Sequence, residues 1–275
     1  MVFKARLGRI SYLNVLPIYY AMESRFGENG FHLVAGTPAE LNAAMRREEV
    51  DLGSISAMEY GRHPDDYLLL PDLSISSRGP VGSVLLFSRV PFAELDGRSI
   101  RVSNASASGA ALVKVLMARL FHVKPRYEAG PLAKRPLAEV DAVMAIGDEA
   151  LCLKQAKALP FELDLGAAWQ ELTGLPFVFG VWAVRRAFAE TQPEATGSLH
   201  RVLLRSKAWG LRALPELSRM AAKPFGMTPE QVLAYFHQLD YALGPDHERG
   251  LRTFFHYLHE QGELPEEPRL EYFQE

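Results

Sequence analysis

The segment Phe177-Val178-Phe179-Gly180-Val181-Trp182-Ala183-Val184 is a continuous apolar run, and it predicts a long buried β-strand. A second apolar run, residues 81–88, lies earlier in the chain. Between the two runs, strand and helix patterns alternate as a unit of their own. We therefore predict that residues 90–184 form a lobe inserted into another lobe, which consists of residues 1–89 and 185–275. The two apolar strands would then cross between the lobes.

Short apolar runs alternate with helical patterns in the first part of the chain as well. The residues after the strand predicted over 31–35 indicate the start of a helix. Thr37 is suited to the N-cap position, Pro38 to the first helical position, and Glu40 to the third position of a capping box. Alternation of this kind favours βαβ units and largely parallel sheets. After Arg185 the pattern is almost wholly helical. The predicted fold class is α/β, with two lobes, two crossover strands and a helical C-terminal region.

Composition excludes several classes of protein. The 275 residues carry a net charge of −3, so no overall basic field would hold nucleic acid. No apolar run reaches the length of a membrane span, and we predict no signal peptide at the N-terminus. Cys152 is the only cysteine, which excludes an intramolecular disulfide and is typical of a reducing compartment. We expect a cytoplasmic protein that binds neither nucleic acid nor membrane, with Cys152 in the core.

Four polar clusters follow predicted strands: Ser11-Tyr12-Leu13-Asn14, residues 54–60, residues 103–108 and residues 146–150. The carboxyl ends of the strands in both lobes should face one shared cleft. Hydroxyl and amide side chains beside free helix N–H groups bind carboxylates well. Each cluster alone is more often a helix cap, and Asp148, Ser106 and Ser108 would each be read as one. The shared position of all four clusters favours a binding site.

Other chemistries lack a motif. The eight histidines show no metal-binding spacing, and the chain has no nucleophile elbow and no phosphate loop. We therefore predict no metal site.

The ordered set of motifs resembles the chorismate dehydratases of the futalosine route to menaquinone. The matching segments include Ser11-Tyr12-Leu13-Asn14, Gly36-Thr37-Pro38, and residues 51–56, 70–76, 146–151 and 173–178. The resemblance implies a type II periplasmic-binding-protein-like fold without export. It also implies a carbon–oxygen lyase (a hydro-lyase) that converts the dicarboxylate chorismate to 3-[(1-carboxyvinyl)oxy]benzoate and water without a cofactor.

From this resemblance and from their predicted position at the cleft, we assign Asn14 and Ser83 to the reacting carbons. Asp148 would position the C4 hydroxyl or act as an acid. The predicted substrate-binding residues are Ser11, Tyr12, Ser56, Ser106, Ala107, Ser108 and Gly147. Members of the family often carry Thr-Ser where this chain has Ala107-Ser108, so position 107 would contribute its backbone N–H. The base stays open between Asp148, Glu59 and the enolpyruvyl carboxylate of the substrate.

Two alternatives share the predicted fold. One is the 1,4-dihydroxy-6-naphthoate synthase of the same pathway, and the other is a carboxylate-binding protein without catalytic activity. The helical C-terminal region would support a homodimer or simply cover the first lobe.

Overall fold

The structure is a computed structural model, and it describes residues 5–26, 31–130 and 139–274. Its strands form two five-stranded sheets. The first sheet has the order β2-β1-β3-β10-β4, from β1 (Ala5–Ile10), β2 (Phe31–Gly36), β3 (Leu52–Ser56), β4 (Tyr67–Ser77) and β10 (Phe177–Arg185). The second has the order β7-β6-β8-β5-β9, from β5 (Val84–Ser88), β6 (Ser99–Val102), β7 (Arg126–Ala129), β8 (Ala142–Ile146) and β9 (Phe161–Asp164).

Both sheets are mixed, and they share one pattern. In the first sheet β10 runs antiparallel to both of its neighbours, while β1, β2 and β3 run parallel. In the second, β5 runs antiparallel to both of its neighbours, while β6, β7 and β8 run parallel. The prediction of largely parallel sheets therefore fails only at β5 and β10, the strands by which the chain enters each sheet from the other.

The two apolar runs predicted as crossing strands lie mostly within one sheet each, and only residues 81–83 belong to a connection between the sheets. Residues 84–88 pair only within the second sheet, and β10 pairs only within the first. The chain changes sheets through residues 78–83 and returns through α6 (Leu165–Thr173). Gly79 and Gly82, at φ values of 111° and 71°, break the extended chain between β4 and β5. The predicted lobe boundaries at 89/90 and 184/185 each fall one strand after the change of sheet.

Helices connect the strands and form the C-terminal region. Those that follow strands in the two sheets are α1 (Leu16–Ser24), α2 (Pro38–Arg46), α3 (Ala57–Arg62), α4 (Ala107–Arg119) and α5 (Gly147–Gln155). The C-terminal helices are α7 (Arg186–Thr191), α8 (Pro193–Arg212), α9 (Leu214–Ala222), α10 (Pro229–Phe236) and α11 (Pro245–Glu260). The predicted capping box of α2 is present, with Thr37 N–H donating to Glu40 at 2.8 Å.

The core centres on β10, whose first eight residues are buried. Trp169 of α6 and Phe254 of α11 both pack edge-on against Phe177, at ring-centroid distances of 5.2 and 4.8 Å. This packing joins the second crossing and the C-terminal region to the first sheet. The prediction for Cys152 is wrong: α5 buries only Ala150, and Cys152 is exposed. No helix in the described residues is long and apolar enough to cross a membrane.

Candidate active site

A cavity lies between the two sheets, where β1, β3 and β8 end and β5 begins. It encloses about 750 Å³ of empty space, open solvent at its mouth included. Apolar side chains form most of its wall, among them Ile10, Ile55, Ile75, Val84 and Phe179. Polar groups at this edge therefore face a largely apolar surround, in which each hydrogen bond matters more than it does in water.

Asn14 reaches the cavity from a short 3-10 helix, Leu13–Val15, which is separated from the end of β1 by two residues. Its backbone is fixed by Tyr241, whose hydroxyl donates to the Asn14 carbonyl oxygen at 2.7 Å. Its side-chain oxygen, Oδ1, is buried and accepts no hydrogen bond. A buried acceptor without a hydrogen bond is energetically costly, so this atom would gain a bond from a ligand or a water molecule in the cavity.

Ser83 ends the first crossing between the sheets and is 3% exposed. Its carbonyl oxygen accepts the N–H of Gly147 at 2.7 Å, and its hydroxyl lies 2.9 Å from the hydroxyl of Tyr235. The first bond continues the pairing of β5 with β8 and joins Ser83 to the start of α5.

Asp148 stands in the first turn of α5 and does not cap it. The helix begins at Gly147, which has a φ of 56°, and the N-cap residue Ile146 has no side-chain oxygen to offer. Asp148 lines the cavity and is still exposed to solvent. Partial burial raises the pKa of its carboxyl. The pKa of Tyr12 is also raised, first by burial and then by the charge of Asp148.

Four predicted binding residues line the same cavity: Tyr12, Ser56, Ser106 and Gly147. Two of them are also helix caps. Ser56 accepts the N–H of Glu59 at 3.0 Å, and Ser106 accepts the N–H of Gly109 at 3.0 Å. Ser56 and Ser106 therefore each cap a helix and also line the cavity.

Other predicted residues lie outside the cavity wall. Ser11 is exposed, and Ala107 borders a neighbouring groove. Ser108 is fully buried, and its Oγ accepts the N–H of Met58 at 3.1 Å, so it joins α4 to α3. Glu59 forms an ion pair with Arg46 and accepts the hydroxyl of Tyr67 at 3.2 Å. The Glu59 carboxylate is therefore engaged by Arg46 and Tyr67, and it does not line the cavity in which a base would act.

Two polar groups of the cavity, Ser54 and Tyr235, were not among the predicted site residues, although Ser54 belongs to one of the predicted polar clusters. Ser54 lies two residues before Ser56 on β3, so both side chains point to the same face, and its buried Oγ has no partner. That period of two was a usable signal. Tyr235 comes from the C-terminal helices, where no motif marked it.

Neutral donors and one carboxylate make up the polar part of this wall. Within the described residues, no lysine, arginine or histidine lines the cavity, and no group of three or more metal-ligating side chains occurs. Such a site can orient an anionic molecule by hydrogen bonds from hydroxyl, amide and backbone N–H groups. It can also exchange a proton through Asp148.

Comparison with known proteins adds to this geometry. A family described as menaquinone biosynthesis matches residues 5–260. A chorismate dehydratase of Thermus thermophilus is 32% identical over 90% of this chain and 93% of its own. A 1,4-dihydroxy-6-naphthoate synthase of the same organism is 28% identical over 83% of this chain and 84% of its own.

The solved structures show the fold. The periplasmic aliphatic sulphonate binding protein SsuA of Escherichia coli superposes with a TM-score of 0.68. The match covers 97% of this chain and 95% of that one, at 14% sequence identity. The predicted periplasmic-binding-protein-like fold is therefore confirmed.

Proposed function

This chain belongs to the menaquinone-biosynthesis family, and we propose that it is the chorismate dehydratase of the futalosine route, a hydro-lyase. Its product would be 3-[(1-carboxyvinyl)oxy]benzoate, together with water. The observation that carries this proposal is the similarity to a chorismate dehydratase along nearly the whole of both chains. The naphthoate synthase of the same bacterium is less similar, over a smaller share of the chain.

The chemistry of the proposed reaction fits the cavity. Chorismate loses the proton at C3 and the hydroxyl at C4, and the ring becomes aromatic. Removal of the C3 proton first would place negative charge on the ring carboxylate through the C1–C2 double bond. Preorganised neutral donors stabilise such charge as it develops, because they need no reorganisation during the step. The cavity has donors of this kind in Asn14, Ser56 and Ser83.

We assign roles by position in this wall. Asn14 and Ser83 would face the reacting carbons, with the Asn14 amide donating to the developing charge. Asp148 would position the departing C4 hydroxyl or protonate it, and partial burial raises the pKa of its carboxyl. The base would be the enolpyruvyl carboxylate of the substrate or Asp148, since Glu59 is held by Arg46.

The remaining expectations belong to the same proposal. The protein would act in the cytoplasm on a small dicarboxylate, without a cofactor and without nucleic acid or membrane as a partner. The two sheets would close on the substrate, because exclusion of water strengthens the donors. A homodimer through the C-terminal helices remains part of the proposal.

The test is direct. Purified protein is mixed with chorismate, and product is followed by absorbance and by mass spectrometry. Loss of one water with formation of an aromatic ring supports the proposal. Chorismate that binds but returns unchanged would indicate a binding protein, and turnover of the cyclic futalosine derivative alone would indicate the naphthoate synthase.

A further inference from the structure

The hydroxyl of Ser83 has an unusual partner, the phenol of Tyr235, from a helix 152 residues further along the chain. The two oxygen atoms are 2.9 Å apart. Ser83 is 3% exposed and Tyr235 is 6% exposed, so the bond is shielded from water. Within the described residues, the Tyr235 hydroxyl makes no other hydrogen bond.

The geometry allows either hydroxyl to be the donor in this pair. A buried hydroxyl that donates to nothing loses a hydrogen bond, and both residues of this pair border the cavity. When the phenol donates to Ser83 Oγ, its hydrogen bond is satisfied within the protein. The hydrogen of Ser83 is then free to point elsewhere, and Ser83 lines the cavity.

We propose that Tyr235 is a positioning residue that fixes the Ser83 hydroxyl as a hydrogen-bond donor directed into the cavity. Without Tyr235, Ser83 could rotate and present a lone pair to an anionic substrate, which would be repulsive. The proposal concerns the polarity of a hydrogen bond, and no proton leaves Tyr235. It rests on the proposed function, because a donor at Ser83 is useful only where negative charge develops.

Two further features support this role. Burial raises the pKa of Tyr235, so the phenol keeps its proton and remains a donor throughout the reaction. The same C-terminal stretch also supplies Tyr241, whose hydroxyl holds the backbone of Asn14 at 2.7 Å. One segment, residues 235–241, thus contacts both residues assigned to the reacting carbons, at the Ser83 hydroxyl and at the Asn14 backbone.

The experiment compares Tyr235→Phe with the wild type in the chorismate assay. We expect kcat to fall about tenfold while KM changes by less than about twofold, because a misdirected donor affects the transition state more than binding. The affinity for 3-[(1-carboxyvinyl)oxy]benzoate, measured by calorimetry, should stay within about twofold. In a Ser83→Ala background, Tyr235→Phe should have no further effect on kcat.

Tyr19→Phe is the matched control. Tyr19 is a buried tyrosine whose hydroxyl donates to the Gly8 carbonyl at 2.8 Å, and it does not line the cavity. This variant should lose a similar amount of thermal stability and keep its kcat. Tyr235→Met also lacks the hydroxyl, and its flexible side chain provides a second variant should Tyr235→Phe not fold.

Wild-type kcat in Tyr235→Phe would overturn the inference, and so would independent, multiplying effects of Tyr235→Phe and Ser83→Ala. A product affinity that falls together with kcat would also overturn it, because it would indicate a collapsed cavity. Failure of the wild type to dehydrate chorismate is a separate result, which removes the proposed function as well.

Discussion

The backbone N–H of Gly82 donates to the carboxylate of Asp164 at 2.7 Å, and this bond joins the two connections between the sheets. The N–H of Val81 adds a second bond at 3.0 Å. The same carboxylate caps α6 by accepting the N–H groups of Gly166 and Ala167. Both crossings are therefore fixed to one side chain, one residue away from Ser83.

Replacement of Asp164 by alanine should lower both stability and turnover. It removes a helix cap and the acceptor of the first crossing, for a loss of about 2 kcal/mol in the free energy of unfolding. Because Ser83 follows Gly82 directly, kcat should fall about tenfold as well. Urea denaturation and the chorismate assay measure the two effects.

Asp141→Ala provides the comparison for Asp164. Asp141 accepts the Ser99 N–H at 3.0 Å and lies outside the cavity wall. The Asp141→Ala variant should be less stable than the wild type and keep its kcat. An Asp164→Ala protein with normal kcat would mean that the crossings do not position Ser83.

Single replacement of Asn14 and of Ser83 by alanine should lower kcat by about a hundredfold or more, if both side chains stabilise the transition state. Thermal melting should change little in either variant. Ser88→Ala is a matched control, since Ser88 is a fully buried serine on β5 that bonds to the Val90 carbonyl, away from the cavity. Near-native turnover in both active-site variants would remove the assignment.

The sequence predicted the site better where it depended on local chemistry than where it depended on distant contacts. Asn14 and Asp148 both follow strands. Residues that follow the carboxyl ends of parallel strands lie at the same edge of the sheet, independently of the detailed course of the loops. Tyr235 reaches Ser83 only through the packing of the C-terminal helices, which no local pattern encodes. The sequence predicts Ser108 as a substrate-binding residue, whereas its hydroxyl joins α4 to α3. A serine at the start of a helix has the same local sequence pattern whether it binds a ligand or joins two helices.

The crossings were misplaced for a related reason. An apolar run predicts a buried strand, and β5 and β10 are indeed buried. The pattern does not say to which sheet a buried strand belongs, since that depends on where the chain turns. Here two glycines with positive φ turn it before β5, and a helix turns it before β10.

Asp148→Asn should change the pH dependence of stability. Because the carboxyl has a raised pKa in the folded protein, it adds stability at low pH, and that stability is lost as pH rises through the folded pKa. The melting temperature of Asp148→Asn relative to the wild type should therefore increase from pH 3 towards neutrality, by a small amount since the group is exposed.

Glu149→Gln separates this effect from catalysis. Burial also raises the pKa of Glu149, which does not line the cavity. Glu149→Gln should show the same sign in the melting series and keep its kcat, whereas Asp148→Asn should lose activity. Equal activity in the two variants would contradict the assignment of Asp148.

Asp51→Asn should destabilise the first sheet without affecting turnover. Asp51 is 1% exposed, and its carboxylate accepts Arg6 Nη2 at 2.6 Å and Arg185 Nη2 at 3.0 Å. Burial opposes its ionisation, but the hydrogen bonds from Arg6 and Arg185 outweigh burial and lower its pKa. The stability from this group is therefore present above the ordinary aspartate pKa and is lost as pH falls through the lower folded value.

Asp51→Asn leaves the guanidinium groups of Arg6 and Arg185 without their anionic partner. We therefore expect the free energy of unfolding, measured by urea denaturation at pH 7, to fall by about 3 kcal/mol. The difference from the wild type should shrink in acid. Glu49→Gln, which breaks the exposed pair with Arg47, should have a much smaller effect on stability. A difference between Asp51→Asn and wild type that stays constant from pH 7 to pH 2 would show that packing, rather than the ion pairs, accounts for the loss.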